Sequence, residues 1–325
     1  MNSVFHTLTP DMAINLVEKS LGEPLLNLCR PMTSYINRVF EMQLKSGEFI
    51  IAKFYRPGRW SRAALQDEHD FLKELSDREI PAIPPLSFAD GATIHEHDGT
   101  YYTIFKKKGG RALDEPNDDE WEQLGRLLAR VHSVGELHLP KDRLVLKPDE
   151  STNEHLEYLL KTNLFSAELR QQYEAAAREI IALVTPLFKE VKLHRIHGDC
   201  HRANILKRPD EGLFLIDFDD MAVGPAVQDF WMILPGVARE SALEIDLFME
   251  GYETFKSFDR RTLKLIEPLR AMRYIYFTAW CAMQAADGGF AKLVPDWGSN
   301  AFWQREIKEL QMQRDEIRSV LEKDF

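Results

Sequence analysis

The sequence predicts an α+β protein with two lobes: a small N-terminal lobe with an antiparallel sheet plus a helix, and a larger, mainly helical C-terminal lobe. Two observations support this prediction. Segments rich in β-branched and aromatic residues dominate before residue 106, whereas apolar residues at helical spacing dominate after it. The chain has 325 residues, 44% of them hydrophobic, which is enough for both lobes to bury a core. We therefore place the N-terminal lobe at residues 1–106 and the C-terminal lobe at residues 107–325.

Two hairpins and one helix are expected in the N-terminal lobe. The predicted strands span residues 39–44, 49–55, 95–96 and 100–105. The polar turns Lys45-Ser46-Gly47-Glu48 and His97-Asp98-Gly99 join these strands in pairs. Ser61 is a favourable N-cap for a helix over residues 62–75, where leucines and Phe71 form a partly apolar face.

Helices dominate the predicted C-terminal lobe. Asn117 and Glu120 have the spacing of a capping box, apolar residues follow at helical spacing, and Gly135 ends the segment. Further helices are predicted at residues 153–161, 167–191, 226–233, 242–255, 261–286 and 303–321. Aromatic residues on these helices suit either a packed core or a pocket for a cationic molecule, and their helical spacing favours the core. They are Trp231, Tyr274, Tyr276, Phe277, Trp280 and Trp303.

Residues 197–206 carry the densest chemistry in the chain. Asp199 is suited to accept the proton of an attacking hydroxyl, while Asn204 and Asp217 offer the oxygen ligands that Mg²⁺ prefers. Apolar segments flank the turn at residues 207–212, which predicts a hairpin that brings Asn204 and Asp217 to one edge. Transfer of a γ-phosphoryl group depends mainly on positioning and charge neutralisation. The motif therefore predicts Asp199 and Asp217 as catalytic residues and Asn204 and Asp217 as metal ligands.

Two other interpretations of this motif stay open. His194, His197 and His201, with Cys200 and Asp199, could bind zinc, because imidazole and thiolate both suit that ion. The chain has no His-Glu-x-x-His pattern and no Cys-x-x-Cys pair, and zinc leaves the downstream amide and acid unexplained. The second alternative is a polar turn between strands that carries no chemistry.

The pattern Asp199-x-x-x-x-Asn204 followed by Asp217 is similar to the catalytic loop and metal-binding acid of the protein-kinase-like superfamily. His197-Gly198-Asp199, with His201 where a serine/threonine kinase usually has lysine, resembles the aminoglycoside phosphotransferase and choline kinase branch. Further stretches resemble the bacterial stress response kinase A (YihE) family. They are Ser34-Tyr35-x-Asn37-Arg38-Val39, Lys53-Phe54-Tyr55-Arg56-Pro57, Gly224-Pro225-Ala226-Val227-Gln228-Asp229-x-Trp231 and Glu267-Pro268-Leu269-Arg270-Ala271-Met272-Arg273. The resemblance implies a two-lobed kinase-like fold, ATP as co-substrate and Mg²⁺ as cofactor.

The resemblance also gives Lys53 and Glu68 roles in holding ATP. Lys53 ends an apolar strand, where a buried ammonium needs anionic partners. Nucleotide phosphates and a carboxylate would supply them, and Glu68 on the following helix is the expected carboxylate, with Asp67 and Glu74 as rivals. The alternative for Lys53 is an edge-strand lysine that only discourages aggregation. Asp229 is expected to hydrogen-bond the catalytic-loop backbone.

The loop at residues 32–38 is expected to cover the phosphates, although it contains no glycine. Ser34 and Asn37 can donate hydrogen bonds to phosphate oxygens, and Arg38 can add charge, whereas an ordinary polar turn is the alternative. Phe105 begins the connector between the lobes, where backbone groups are expected to meet the adenine. The lysines that follow Phe105 are interpreted as a solvated charge run.

Composition disfavours several classes of protein. The formal net charge of −11 argues against nucleic-acid binding, which draws its affinity from cationic contacts to phosphates. The 3 cysteines are widely separated, which disfavours a disulfide framework and favours a reducing compartment. The first residues lack a secretory pattern, and the longest uncharged apolar run, at residues 274–286, is too short to cross a bilayer. We expect a cytoplasmic monomer without nucleic-acid or membrane partners.

The identity of the phosphate acceptor stays open between three hypotheses. The family resemblance implies a serine or threonine hydroxyl in a protein, phosphorylated during a stress response. The short segment between Asp217 and the helix near Ala226, together with His201, favours a small alcohol such as an amino alcohol or aminoglycoside. A nucleotide-binding module without turnover is the third hypothesis, and the intact motif argues against it.

Overall fold

The computed structural model describes residues 4–287 and 289–322. In its first part, a five-stranded antiparallel sheet has the strand order β1-β2-β3-β5-β4. The elements there are α1 Val4–Thr7, α2 Pro10–Leu21, β1 Leu25–Met32, β2 Arg38–Leu44, β3 Phe49–Phe54, α3 Arg62–Ser76, β4 His95–His97 and β5 Thr100–Lys106. Both predicted hairpins are confirmed, as β2–β3 and β4–β5. The Ser61 hydroxyl accepts a hydrogen bond from the Ala64 N–H at 3.0 Å, which confirms the predicted N-cap of α3.

Helices dominate the rest of the chain. The elements are β6 Arg111–Ala112, α4 Asp118–Gly135, α5 Asn153–Leu160, α6 Ala167–Val184, β7 His194–Ile196, β8 Ile205–Arg208, β9 Gly212–Leu215, β10 Ala222–Gly224, α7 Val227–Trp231, α8 Ala242–Glu253, α9 Ile266–Gln284, α10 Phe290–Leu293 and α11 Asn300–Glu322. A π-helical turn spans Pro148–Thr152, and 3₁₀ turns span Thr185–Phe188, Arg202–Asn204, Phe218–Asp220, Ala238–Glu240 and Arg260–Leu265. The capping box of Asn117 and Glu120 is present at the start of α4, as predicted.

Some predicted boundaries are wrong. The helix predicted at residues 167–191 ends at Val184 and continues as a 3₁₀ turn, because Pro186 lacks the N–H that an α-helix needs. The helix predicted from residue 261 begins as a 3₁₀ turn and becomes α-helical only at Ile266. Helix α2 was not predicted. Strand β1 was not predicted either, because its sequence lacks the alternation of a half-buried strand and its side chains are mostly exposed.

Helix α3 packs against the helical part of the molecule. Phe71, Leu72 and Leu75 belong to the large apolar core, and the Phe71 ring lies 5.9 Å from the ring of Phe218, next to the Asp217 segment. The sheet and α2 form a separate, smaller core. The position of α3 is thus fixed by the core that carries the predicted catalytic loop, while the lobe boundary at residue 106 stays a prediction. Along the two described stretches, no helix has the length and apolarity to cross a membrane.

We expect the substitution Phe71→Ala to destabilise the protein by about 3–5 kcal/mol, because it removes a fully buried ring and leaves a cavity. Urea denaturation followed by tryptophan fluorescence measures the effect. Leu139→Ala is the matched control, because the Leu139 side chain is 63% exposed. Equal loss of stability in both variants would contradict the packing described for α3.

Candidate active site

The predicted catalytic loop lies between β7 and the β8–β9 hairpin. The hairpin forms as predicted, and the Ile216 N–H donates to the Asn204 carbonyl at 3.0 Å, so Asn204 and Asp217 lie at adjacent ends of its two strands. The Asn204 side-chain amide donates to the Asp199 carbonyl at 2.9 Å. The fold therefore brings Asp199, Asn204 and Asp217 together at one place.

Asp229 fixes the start of this loop by hydrogen bonds to its backbone. Its two carboxylate oxygens accept hydrogen bonds from the backbone N–H groups of His197 at 2.7 Å and Gly198 at 2.8 Å, which confirms the predicted contact. The buried His132 ring lies 3.1 Å from the same carboxylate. Burial would raise the pKa of Asp229, but the hydrogen bonds that it accepts from His132 and from the Gly198 N–H lower the pKa below its usual value. The Asp229 carboxylate thus fixes the catalytic loop while remaining ionised.

Gly198 lets the catalytic loop approach the segment after Asp217. Its φ is +84°, and a Cβ atom at this position would lie 2.1 Å from the Asp220 carbonyl oxygen. The His197 ring donates from Nε2 to the Ile216 carbonyl at 2.9 Å. These contacts join the two predicted catalytic segments directly.

Asp199 has cationic neighbours on both carboxylate oxygens. Arg273 on α9 donates to Oδ1 at 2.7 Å, and His201 Nε2 lies 3.5 Å from Oδ2. Burial would raise the pKa of Asp199, but the contact with His201 and the charge of Arg273 lower it below its usual value. The same contact with Asp199 raises the pKa of His201. Asp199 is therefore held ionised, as its predicted role of proton acceptor requires.

Lys53 lies in the cleft with two carboxylates. Its ammonium donates to Asp217 Oδ1 at 2.7 Å and lies 3.4 Å from Asp219 Oδ1. Burial would lower the pKa of Lys53, but these carboxylates raise it above its usual value. Lys53 is therefore charged and reaches the segment predicted to bind the metal.

The predicted ion pair between Lys53 and Glu68 is not what the structure shows. Glu68 accepts a hydrogen bond from Arg143 at 2.9 Å, and the side chains of both residues are essentially unexposed. Burial raises the pKa of Glu68 against the opposing charges of Lys53 and Arg143. Arg143 outcompetes Lys53 because its guanidinium presents several donors in one plane, while Lys53 is already satisfied by Asp217 and Asp219.

Asn37 and Ser34 lie in the cleft, but their side chains already make hydrogen bonds within the protein. Asn37 donates to Asp219 Oδ2 at 3.0 Å and accepts from the Arg56 N–H at 3.2 Å. The Ser34 hydroxyl accepts from the Asn37 N–H at 3.3 Å, which closes the loop on itself. The suggestion that Arg38 adds charge to the cleft is wrong, because its guanidinium donates to backbone carbonyls near the N-terminus.

Two adjoining cavities open around these residues. The first has a volume of about 920 Å³, and its lining includes Ser34, Asn37, Lys53, Glu68, Phe105, Asp199, Asn204 and Asp217. The second has a volume of about 830 Å³ and shares part of its lining with the first, namely Ile36, Arg59, Asp220, Arg273, Tyr276 and Trp280. All predicted site residues therefore line one cleft. Of the aromatic residues considered above, Trp231 and Trp303 are core residues, whereas Tyr276, Phe277 and Trp280 line the cleft.

Three arginines of the site were missed by sequence reasoning. Arg59 pairs with Asp219 at 3.1 Å and Asp220 at 2.6 Å, and Arg143 and Arg273 make the contacts described above. None of them belongs to a local pattern that specifies its partner. The only sequence signal was the stretch that ends in Arg273, which contributed to the family resemblance.

The donor set at Asn204 and Asp217 fits a magnesium ion. Asn204 uses its amide nitrogen for the Asp199 carbonyl, so the amide oxygen stays available, and Lys53 occupies only one oxygen of Asp217. Hard oxygen ligands of this type suit Mg²⁺. Within residues 4–287 and 289–322, no group of three or more His, Cys, Asp or Glu side chains is arranged so that it could hold a metal ion.

A family model and two relatives of known name all identify this chain as similar to phosphotransferases or kinases. The model of the phosphotransferase enzyme family (APH) matches residues 29–266. Stress response kinase A of Escherichia coli strain K12 is 36% identical over 307 residues, which cover 93% of this chain and 91% of that protein. A protein of Salmonella typhimurium named serine/threonine protein kinase RdoA is 34% identical over the same shares of both chains.

A solved structure, amicoumacin kinase in complex with AMP-PNP, Ca²⁺ and Ami, superposes with a TM-score of 0.75 at 18% identity. The match covers 97% of this chain and 95% of that one. At this identity the likeness concerns the fold alone, and it confirms the predicted two-lobed kinase-like architecture.

We predict that Arg143→Met destabilises the protein by about 3–5 kcal/mol, because Glu68 is left buried without its cation. The double variant Arg143→Met with Glu68→Gln should recover part of this loss, since the uncompensated charge is gone. Urea denaturation measures both effects. Lys147→Met is the control, because its ion pair with Glu150 is exposed and should leave the midpoint unchanged. A double variant no more stable than Arg143→Met would argue against this ion pair.

Proposed function

The chain belongs to the phosphotransferase enzyme family and, within it, to the stress response kinase A group, and from this premise we propose that it transfers the γ-phosphoryl group of ATP to serine or threonine hydroxyls of proteins. The observation that carries the proposal is the convergence of Asp199, Asn204 and Asp217 with Lys53 in one cleft. Phosphoryl transfer needs these elements together: a group that orients the hydroxyl, metal ligands and a phosphate-binding cation.

Each residue has a distinct role in this proposal. Asp199 orients the acceptor hydroxyl and takes its proton. Asn204 and Asp217 hold Mg²⁺, which supplies positive charge to the phosphate oxygens when bound. Lys53 binds phosphate oxygens, and Glu68 acts through Arg143 by fixing α3 beside the cleft.

The first cavity provides the nucleotide site. Its volume of about 920 Å³ is within the usual range for ligand and cofactor pockets. Ser34 and Asn37 cover its phosphate end, and the Phe105 backbone lies where the adenine edge is expected. Lys106 and Lys107 also line the cavity, but they form ion pairs with Glu48 and Glu41 across the sheet. This fits the interpretation of their side chains as a solvated charge run.

The protein acceptor is supported by the relatives, since the Salmonella protein is named as a serine/threonine protein kinase. The stress response role rests on the relatives' name in the same way. The cytoplasmic location and the monomeric state stay predictions. A module that binds nucleotide without turnover is disfavoured, because each of the residues that the reaction needs is present in the cleft.

A small alcohol is the second candidate acceptor, and the second cavity favours it. This cavity of about 830 Å³ adjoins Arg273 and would enclose a compact molecule. Its lining acids, Asp220 and Asp287, are paired with Arg59 and Arg56 at 2.6 and 2.5 Å. A polycation such as an aminoglycoside would therefore find no unpaired carboxylate among the described lining residues, so an uncharged or anionic alcohol fits better.

We expect Asp199→Ala to lower ATP turnover on the order of 10²-fold or more, because proton acceptance and hydroxyl orientation are both lost. ADP release by the purified protein with Mg-ATP measures the rate, and calorimetry with Mg-ADP should show nucleotide affinity within about threefold of wild type. Asp70→Ala, on the exposed face of α3, is the control and should keep full turnover. Equal turnover in the Asp199 variant would refute the catalytic assignment.

The acceptor class is predicted to be protein. Labelled ATP is supplied with the wild-type protein and cell lysate, and separately with a panel of small alcohols that includes neutral, anionic and polycationic members. Label on serine or threonine of lysate proteins, absent with Asp199→Ala, is the expected result. Label confined to the small alcohols would overturn the protein-kinase proposal in favour of the second candidate.

A further inference from the structure

The catalytic loop itself provides no cationic side chain in close contact with the Asp199 carboxylate. His201 lies 3.5 Å from Asp199 Oδ2, and its side chain is 40% exposed. The close cation comes instead from α9, where Arg273 donates to Asp199 Oδ1 at 2.7 Å. The two residues are 74 positions apart in the chain, so this contact depends on the tertiary fold.

Arg273 also lies where the two cavities meet. It lines both of them, as does Tyr276 one helical turn later, and the guanidinium lies 5.0 Å from the centre of the Tyr276 ring. Helix α9 is anchored in the large core by Leu269 and Met272, so the guanidinium projects from a fixed backbone. A phosphoryl group that moves from a nucleotide in the first cavity toward the second would pass this point.

We propose that Arg273 is a positioning residue for phosphoryl transfer, which holds the Asp199 carboxylate through Oδ1, so that Oδ2, which His201 approaches only to 3.5 Å, accepts the proton of the acceptor hydroxyl. The inference rests on the proposed kinase function. In the step, the acceptor O–H bond breaks as its oxygen bonds to the γ-phosphorus, and the proton passes to Asp199. The bond between the γ-phosphorus and the bridging oxygen breaks, and its electron pair leaves with ADP.

Arg270 shows what a structural arginine on the same helix looks like. It pairs with Glu267 at 3.1 Å, donates to the Gly236 carbonyl at 2.7 Å and packs on the Trp231 ring. It lines neither cavity. Arg273 differs because its ion pair is with the predicted catalytic acid, at the junction of the two cavities.

The experiment compares Arg273→Ala, Arg273→Lys and the control Arg270→Ala in ADP release from Mg-ATP, with water as acceptor. We expect Arg273→Ala to lower kcat on the order of 10- to 100-fold with the KM for ATP within about twofold, because misplacing a catalytic group affects the chemical step. Lysine should restore part of the rate. In an Asp199→Asn background, Arg273→Ala should cost less than about threefold, since the two residues act as a unit. Arg270→Ala should lower the melting temperature and keep kcat.

The outcomes separate this inference from the proposed function. Unchanged or increased kcat in Arg273→Ala, with an active wild type, would overturn the inference alone, and an increase would mean that Arg273 blocks Asp199. Losses that simply multiply in the double variant would also overturn it. A wild-type protein that transfers the γ-phosphoryl group of ATP neither to water nor to lysate proteins nor to the panel of small alcohols would overturn the proposed function and the inference together.

Discussion

The buried ion pair between Arg143 and Glu68 is the interaction on which the arrangement of the cleft depends. Taking both charges out of water carries a penalty of several kcal/mol per ion, so the pair persists only if its remaining donors are satisfied. Arg143 meets this condition by donating to the carbonyls of Ala64 at 2.7 Å and Asp219 at 2.6 Å, and its guanidinium packs over the Trp60 ring. One side chain thereby joins the start and the middle of α3 to the segment after Asp217.

Side-chain hydrogen bonds explain how the glycine-free loop at residues 32–38 can lie over the cleft. Arg56 donates to the carbonyls of Tyr35 at 3.2 Å and Ile36 at 3.1 Å, while Asn37 donates to Asp219. The loop is thus held by side chains on both its outer and inner surfaces, and it is tied to the same acidic segment as Lys53 and Arg143. Because the loop has no glycine, its backbone has less conformational freedom than that of a glycine-rich loop. A fixed loop suits the proposed contacts to phosphates through side chains.

Sequence reasoning succeeded where the determining interactions are local. The β2–β3 hairpin, the Ser61 cap and the β8–β9 hairpin follow from turns and spacing within a few residues, and the structure has all three. Partner choice could not be predicted, because it depends on residues that only the tertiary fold brings together. The expected partner of Glu68 was Lys53, 15 positions away, yet the partner is Arg143, 75 positions away in a loop without a pattern. The contact between Arg273 and Asp199 was hidden for the same reason.

The acids of the cleft differ in exposure, and this difference separates their roles. The side chains of Glu68 and Asp219 are 1% and 5% exposed, and their contacts are with protein cations and with the Asn37 amide. Asp199 and Asp217 are 18% and 51% exposed and can reach a substrate or an ion in the cleft. Asp217 also has a φ of +61°, a conformation that aspartate tolerates but that carries some backbone strain. Each of these acids has one oxygen held closely by a cation, Lys53 on Asp217 and Arg273 on Asp199, and His201 approaches the second oxygen of Asp199 only to 3.5 Å. The buried ion pairs make the cleft rigid, whereas Asp199 and Asp217 are the carboxylates for which we propose roles in the reaction.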